Sequence, residues 1–544
     1  MEMTGGEAVV AALRAAGVRH VFGIVSVHNL PIYDALARDG SIAAVSVRHE
    51  QAAVHAADGY ARATGELGVA ITSTGPGAAN AVSGLYEASV ASSRVLMITG
   101  QVDSRVYGAG RGAFHEAERQ LDMLRSVTRL TESVRRTGDV AAAILRVIAD
   151  VHTGRPQPGA VEIPVDLQRA STDFAAPKAV RWPRLEPDPS ALDEAAEALN
   201  KARRPIVWAG GGVPAARASK ELVELAERLS APVVTTIQGR GAIAEDHELA
   251  LGANALSGPV AAAIGDADVV LAIGTRFEED ETAGWSLRIP GRLVHLDADA
   301  AAIGRSYTPD VAIVGDARLG LVGLLERVRS SATDPAFTAR AQEAGRAARA
   351  ESRALLGRDH EAIMDAIREL LPRSGIVVRD ATVPAYVWGD RLLPVYEPGT
   401  SIWPTSGAIG PGLPLAIGAA LGTGRKTVLI QGDGGVMLNL GELATAVQYR
   451  APVVACLFDD GGYGVLRAIQ DRSFGGRHIG VDLAAPDFSA LGRAFGMDTA
   501  AVADAGAFRA AFERALRSDG PFLIALDATA LAPMTLAAAW MDEG

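Results

Sequence analysis

Cysteine is almost absent from this chain, which carries one, Cys456, in 544 residues. A lone thiol excludes an intrachain disulfide framework and suits a reducing, cytoplasmic compartment. A basic excess is also missing: 52 Lys and Arg face 64 Asp and Glu, a formal charge of −12. That balance argues against nucleic acid or an anionic membrane surface as a partner. No uninterrupted apolar run approaches the length of a membrane span, and the N-terminus shows no signal-peptide h-region. Aromatic residues are scarce, at 5% against a hydrophobic fraction of 49%, which suits large Ala/Val/Leu-rich α/β cores. The Gly-rich stretches at 108–112 and 210–212 miss the GxGxxG spacing, so neither supports a dinucleotide fingerprint. These exclusions leave a soluble protein of three or four domains.

Strands alternate with helices along the whole length, the pattern of doubly wound parallel sheets. The first unit, residues 1–172, is expected to hold helices over 5–16, 30–38 and 51–63 and strands over 18–24, 43–47, 69–73 and 94–99. A Pro-rich stretch at 176–189 reads as a linker. The middle unit, 190–330, has expected strands at 206–209, 231–236, 269–273 and 293–296. A charged, Ala-rich segment at 340–353 is expected to be helical and to lead into the third unit, 358–544. Three consecutive α/β units of similar size hint at duplication.

The most informative stretch runs from Thr427 to Gly464. An apolar, β-branched run stops at Gly432-Asp433-Gly434-Gly435, a helical pattern follows, and a second apolar run stops at Asp459-Asp460-Gly461-Gly462. This reads as one βαβ unit, with Cys456 as core packing in its second strand. A right-handed crossover puts both strand ends on one sheet edge, where open α/β sheets bind ligands. Asp433 and Asp460, 27 positions apart, are then neighbours. Either turn alone is equally well an ordinary helix N-cap. Two carboxylates side by side, however, repel unless a cation lies between them, and the flanking glycines let an anion approach the backbone. The simplest ligand is a Mg²⁺-diphosphate.

This stretch resembles the thiamine diphosphate motif, Gly-Asp-Gly followed by Asn-Asn, with Asp459-Asp460 in place of the two asparagines. The resemblance implies that Asp433, Asp460 and the Gly462 carbonyl hold Mg²⁺. The extra charge of Asp460 facing a diphosphate implies a stricter need for the metal. Arg48-His49-Glu50-Gln51 with Gly59 to Gly65 resembles the family's first-domain signature. There Glu50, otherwise a helix N-terminal acid, would bond the N1′ nitrogen of the aminopyrimidine ring, a task that calls for a buried carboxyl with a raised pKa. Thr74-Gly75-Pro76-Gly77-Ala78-Ala79-Asn80 resembles the loop that walls the pyrimidine. Thr405 to Pro414 resembles the segment under the bent cofactor, with Ile409 as the wedge and the Gly407 carbonyl accepting from the 4′-amino group. The cofactor-binding set implied is Glu50, Thr74, Pro76, Asn80, Gly407, Ile409, Asp433, Gly434, Gly435, Asp460, Gly462 and Tyr463. The three units would be the pyrimidine-binding, middle and diphosphate-binding domains of this fold.

The resemblance implies that a 2-oxo acid loses CO₂ and that its acyl unit passes to a second carbonyl, as in acetolactate synthase-like enzymes. The alternative is a decarboxylase or acyloin lyase that releases an aldehyde. His28, in a loop where benzaldehyde lyase-like enzymes also carry a histidine, and His115, where acetolactate synthases have glutamine, are the candidate proton carriers. The tryptophan of biosynthetic acetolactate synthases stands as Ile469. The Gly-Met-His-Gly segment linked to FAD is absent, with Gly252-Ala253-Asn254-Ala255 near that point, so FAD is possible but not favoured. The resemblance further implies a homodimer or homotetramer whose active sites lie at subunit interfaces, Glu50 coming from one chain and Asp433 from another.

Overall fold

The computed structural model describes residues 2–175, 177–329 and 332–534. Ala176 of the expected linker, Ser330 of the expected middle unit and residues 535–544 of the expected third unit lie outside the described residues. Three six-stranded sheets follow one another along the chain, every ladder within them parallel. Parallel strands are buried on both faces, which explains the near-continuous Val/Ile/Leu runs. Val69 to Ile71, Val207 to Ala209 and Val428 to Ile430 are all sealed from solvent.

The first sheet runs Ala43–Ser46, His20–Gly23, Gly68–Thr72, Val95–Gln101, Gly159–Pro164, Leu130–Ser133. The third runs Ser401–Ile402, Ile376–Arg379, Thr427–Gly432, Val453–Asp459, Phe522–Asp527, Asp498–Val502. Counted within each unit, both have the order 2-1-3-4-6-5. The middle sheet, from Ala250–Gly252 at one edge to Val311–Val314 at the other, has the order 3-2-1-4-5-6. Shared topology therefore links the first and third units and sets the middle one apart. In each outer sheet the winding reverses between the unit's first and third strands, the switch point at which such sheets bind ligands.

Two expectations change. The crossover after Asp433 is two short helices, Asp433–Met437 and Glu442–Gln448, with a break between them. Helix Pro335–Arg353 buries Phe337 and Ala348 with Leu251 and Val260 of the middle unit. It is thus packed on the middle sheet, past the expected limit at 330. The Pro-rich segment from 177 to 188 has no helix or strand but is tied down: Trp182 stacks on His152 and Arg184 pairs with Asp316.

The outer units touch through helices Glu50–Thr64 and Gly412–Thr423. A Cβ at Gly59 would collide with the Leu415 carbonyl, and one at Gly418 with that of Ala56. Glycine is required at this crossing because backbone meets backbone. The same closeness accounts for the small residues along 51–63.

Candidate active site

The carboxyl edge of the third sheet holds the acidic pair. Strands Thr427–Gly432 and Val453–Asp459 pair in parallel with Gly432 opposite Phe458, so Asp433 and Asp460 leave the sheet side by side. Asp433 is 2% exposed. Neither of its carboxylate oxygens has a hydrogen-bond partner, and neither does Oδ1 of Asp460. Burial first, then the charges of Asp460 and Asp459, push Asp433 up to about 6. Burial also raises Asp460, against the opposing charge of Arg467. Buried carboxylate oxygens are normally satisfied, so three buried oxygens without donors on two neighbouring carboxylates fit a bound cation. Among the described residues no group of three or more His, Cys, Asp or Glu side chains is placed to hold a metal. Two carboxylates, with carbonyl, phosphate and water oxygens completing the shell, match the habits of Mg²⁺.

The surrounding backbone is kept bare. Gly462 has φ +150° and pairs with Asp482, and a Cβ there would strike the Val481 carbonyl. Tyr463 donates its N–H to the Val481 carbonyl at 2.8 Å, and its ring fills the space a side chain at Gly434 would need. Arg467 donates to the carbonyls of Asp460 and Gly461, both at 3.2 Å, which fixes the turn.

The loop bearing Ile409 lies at the same edge. Asp380, just past strand Ile376–Arg379, is buried and accepts from the N–H groups of Gly410 at 2.9 Å and Gly412 at 2.8 Å and from Gln431 Nε2 at 2.7 Å. Burial raises its pKa to about 6. Asn439 Nδ2 donates to the Gly410 carbonyl at 2.9 Å. Gly407 takes the left-handed φ of +74°, and Ile409 stays 38% exposed. The sequence reading missed Asp380, Gln431 and Asn439. The signal for Asp380 was a carboxylate just after the β-branched run Ile376-Val377-Val378, the pattern that marks the acidic turns at 433 and 460.

The second group of residues sits on the first sheet. His49 caps helix Glu50–Thr64 by accepting from Gln51 N–H. Glu50 opens the helix, and its Oε2 accepts from Asn80 Nδ2 at 3.0 Å. Asn80 lies on helix Pro76–Val90, which starts straight after Thr74-Gly75. Glu50 is only half-buried, so the buried carboxyl expected from the resemblance is not formed within one chain. Arg48 donates its N–H to Glu442 Oε1 at 2.8 Å and ties this strand end to the third unit. Thr74 and Gly75 both donate to Gln120 Oε1 at 2.8 Å, and Gln120 and Gln101 both donate to Glu162. That buried network lay outside the sequence reading, because its members are far apart in the chain.

His28 and His115 come together, with ring centroids 5.4 Å apart and Phe114 stacked on His115 at 3.9 Å. The His115 carbonyl lies against Gly75, which links the pair to the Thr74–Asn80 loop. Burial, then the neighbouring His115, lowers the pKa of His28. Among the described residues, Glu50, His28 and His115 make no hydrogen bond or ion pair with Asp433, Asp460 or Ile409 of the same chain. Away from both groups, Gly252, Ala253, Asn254 and Ala255 are buried, and Asn254 bonds the Leu251 carbonyl. A cavity of about 660 Å³ opens between the middle sheet's turns at Gly212 and Gly274 and the first unit's Arg94 and Arg155.

Three family models match in chain order. They are the N-terminal TPP binding domain of thiamine pyrophosphate enzymes at residues 3–123, the central domain at 192–324 and the C-terminal TPP binding domain at 384–526. A probable acetolactate synthase large subunit of Methanocaldococcus jannaschii is 33% identical over 561 residues, covering 98% of this chain and 93% of that protein. A probable 2-ketoarginine decarboxylase of Pseudomonas aeruginosa is 38% identical over 507 residues, covering 91% and 88%. The acetolactate synthase isozyme 3 large subunit of Escherichia coli K12 is 32% identical over 518 residues, covering 91% and 89%. With the sheet-edge carboxylates, these matches show that the chain belongs to the thiamine pyrophosphate (thiamine diphosphate) enzymes, in the acetolactate synthase-like group that makes or breaks carbon–carbon bonds.

Proposed function

We propose that this enzyme is a Mg²⁺-dependent carboligase that decarboxylates a 2-oxo acid and transfers the acyl unit to a second carbonyl compound. The observation that carries the reading is the buried Asp433 carboxylate, both oxygens unpartnered, beside the half-buried Asp460, whose Oδ1 is also unpartnered, at one sheet edge. In this reading Asp433, Asp460 and the Gly462 carbonyl hold the metal, and Gly434, Gly435 and Tyr463 line the diphosphate. Residues 1–172 bind the pyrimidine half, 358–544 the diphosphate half, and 190–330 lie between them.

When bound, the cofactor supplies a carbon nucleophile and an electron sink for decarboxylation. The chain's own residues position it and move protons. Glu50, steadied by Asn80, holds a proton at the pyrimidine N1′. Thr74 and Pro76 wall that ring, the Gly407 carbonyl accepts from its amino group, and Ile409 props the two rings together. Holding reacting atoms close is a proximity effect worth several kcal/mol. His28 and His115 carry protons to and from the substrate oxygen, and a lowered pKa keeps His28 largely neutral at pH 7, able to accept one.

Glu50 is half-exposed in the single chain, and large apolar side chains lie open beside both groups of residues. Val25, Val27 and Phe114 are exposed near the first, and Leu438, Leu466 and Ile479 near the second. Exposed apolar side chains gathered beside both groups support an interface there. The reading is therefore a cytoplasmic homodimer or homotetramer in which Glu50 of one subunit faces Asp433 of another. No described helix is long and apolar enough to cross a membrane.

The second reading, an aldehyde-releasing decarboxylase, draws support from the similarity to the Pseudomonas protein. Product analysis separates the two: a 2-oxo acid supplied with and without an acceptor aldehyde or second 2-oxo acid should yield an acyloin or acetohydroxy acid. Aldehyde alone under both conditions favours the decarboxylase, and no CO₂ release from a panel of 2-oxo acids contradicts both.

A further inference from the structure

Glu87 is a fully buried carboxylate that none of these roles uses. It lies two turns beyond Asn80 on helix Pro76–Val90, about 10 Å along the axis. Its Oε1 accepts from Thr405 N–H at 2.7 Å, and its Oε2 from Ser406 N–H at 2.9 Å and Ser406 Oγ at 2.5 Å. Arg62 pairs with the same carboxylate and with Asp58, both at 3.4 Å, and donates to the Trp403 carbonyl at 2.7 Å. Gln238 of the middle unit donates to Thr405 Oγ1. Apart from the ion pairs of Arg62, these bonds converge on residues 403–406, the stretch that leads into Gly407 and Ile409. Asp380 and Asn439 hold the far end of the same loop.

Burying a carboxylate is costly unless its oxygens are paired and bonded. Glu87 meets that condition with three donors from two consecutive residues, all on another unit. Such charge-assisted bonds are short and directional, and they fix the orientation of the turn they grip. A residue serving only the core of the first unit would not point its whole carboxylate at a loop more than 300 residues away.

We propose that Glu87 is a positioning residue: its carboxylate sets the Thr405–Ser406 turn so that the Gly407 carbonyl and the Ile409 side chain stand where the cofactor rings are held. The inference rests on the roles read above for Gly407 and Ile409. Helix Pro76–Val90 also carries Asn80, bonded to Glu50. In an assembly with shared sites, one helix then braces the activating acid of one centre and the ring support of another.

The test compares Glu87→Gln, Glu87→Asp, Ile409→Ala and Glu87→Gln/Ile409→Ala with the unmodified protein. Mg²⁺-cofactor affinity, melting temperature, kcat and deuterium exchange at the cofactor's reactive carbon are measured for each. Glu87→Gln and Glu87→Asp should bind the cofactor within about threefold of the unmodified protein yet slow exchange and kcat by about 10- to 100-fold, the scale of a misplacement near 1 Å. Adding Glu87→Gln to Ile409→Ala should cost less than about a further threefold, because both act through one loop. Exchange that is unchanged in both Glu87 variants overturns the proposal. So does a loss of cofactor affinity that simply follows a lowered melting temperature, or two costs that multiply in the double variant. If Ile409→Ala itself exchanges at the normal rate, the ring-support reading fails; slow exchange in Ile409→Ala with normal exchange in the Glu87 variants removes only the role of Glu87.

Discussion

Replacing Asp460 by Asn tests the electrostatics of the acidic pair. Asp433 sits at about 6 against an ordinary 3.8, raised first by burial and then by Asp460 and Asp459. At 1.36 kcal/mol per pH unit the whole elevation corresponds to about 3 kcal/mol, and the charge of Asp460 supplies a smaller share of it than burial does. In the unfolded chain Asp433 releases its proton near 3.8, whereas in the folded apoprotein it does so near 6. The stability it contributes is thus complete below the lower value and is lost as pH rises through the upper one. Asp460→Asn lowers the pKa of Asp433 and should return about 1 kcal/mol to the apoprotein at about pH 7.5, with little gain below about pH 4. In calorimetry with EDTA that appears as a midpoint higher by about 1–4 °C. Without Mg²⁺ the variant should also bind thiamine diphosphate about fivefold more tightly, because one negative charge no longer faces the phosphates. An apoprotein less stable than the unmodified one at that pH, or an unchanged affinity in EDTA, refutes the reasoning.

Glu50→Gln should lower turnover by about a thousandfold while Mg²⁺-cofactor affinity stays within about threefold, because the diphosphate half is untouched; full activity in that variant rejects the mechanism. Mg²⁺ affinity, followed by cofactor-dependent fluorescence quenching, should fall by up to about tenfold per pH unit below about pH 6, because the metal must displace the proton of Asp433. A flat profile through that range would separate Asp433 from the metal. The purified protein is expected to show no flavin absorbance band; a stoichiometric yellow chromophore would instead point to the cavity between Gly274 and Arg155.

The acidic pair was legible because two apolar β-branched runs with glycine-rich stops encode a parallel strand pair, and parallel pairing fixes which ends are neighbours. The small residues around Gly59 were visible in the sequence and Gly418 was not singled out, because only the crossing of two helices explains both. Asp380, Gln120 and Glu87 escaped because their partners lie far along the chain, and no local period marks a long-range hydrogen bond. Residues 340–353 of the helix were legible as helical from their alanines, but the docking of the helix on the middle sheet depends on Leu251 and Val260, which a local pattern does not contain. Glu50 is half-exposed in the single chain, and the proposed role calls for a burial that one chain does not supply.

The claim on which most rests is that each active centre takes its acid from one subunit and its metal site from another. Glu50→Gln and Asp433→Ala chains, each inactive alone, would be unfolded together in equal amounts and refolded. Shared sites predict recovery of about a quarter of normal activity, from mixed dimers that each hold one intact centre. A mixture as inactive as either parent, although mixed dimers form, would contradict it.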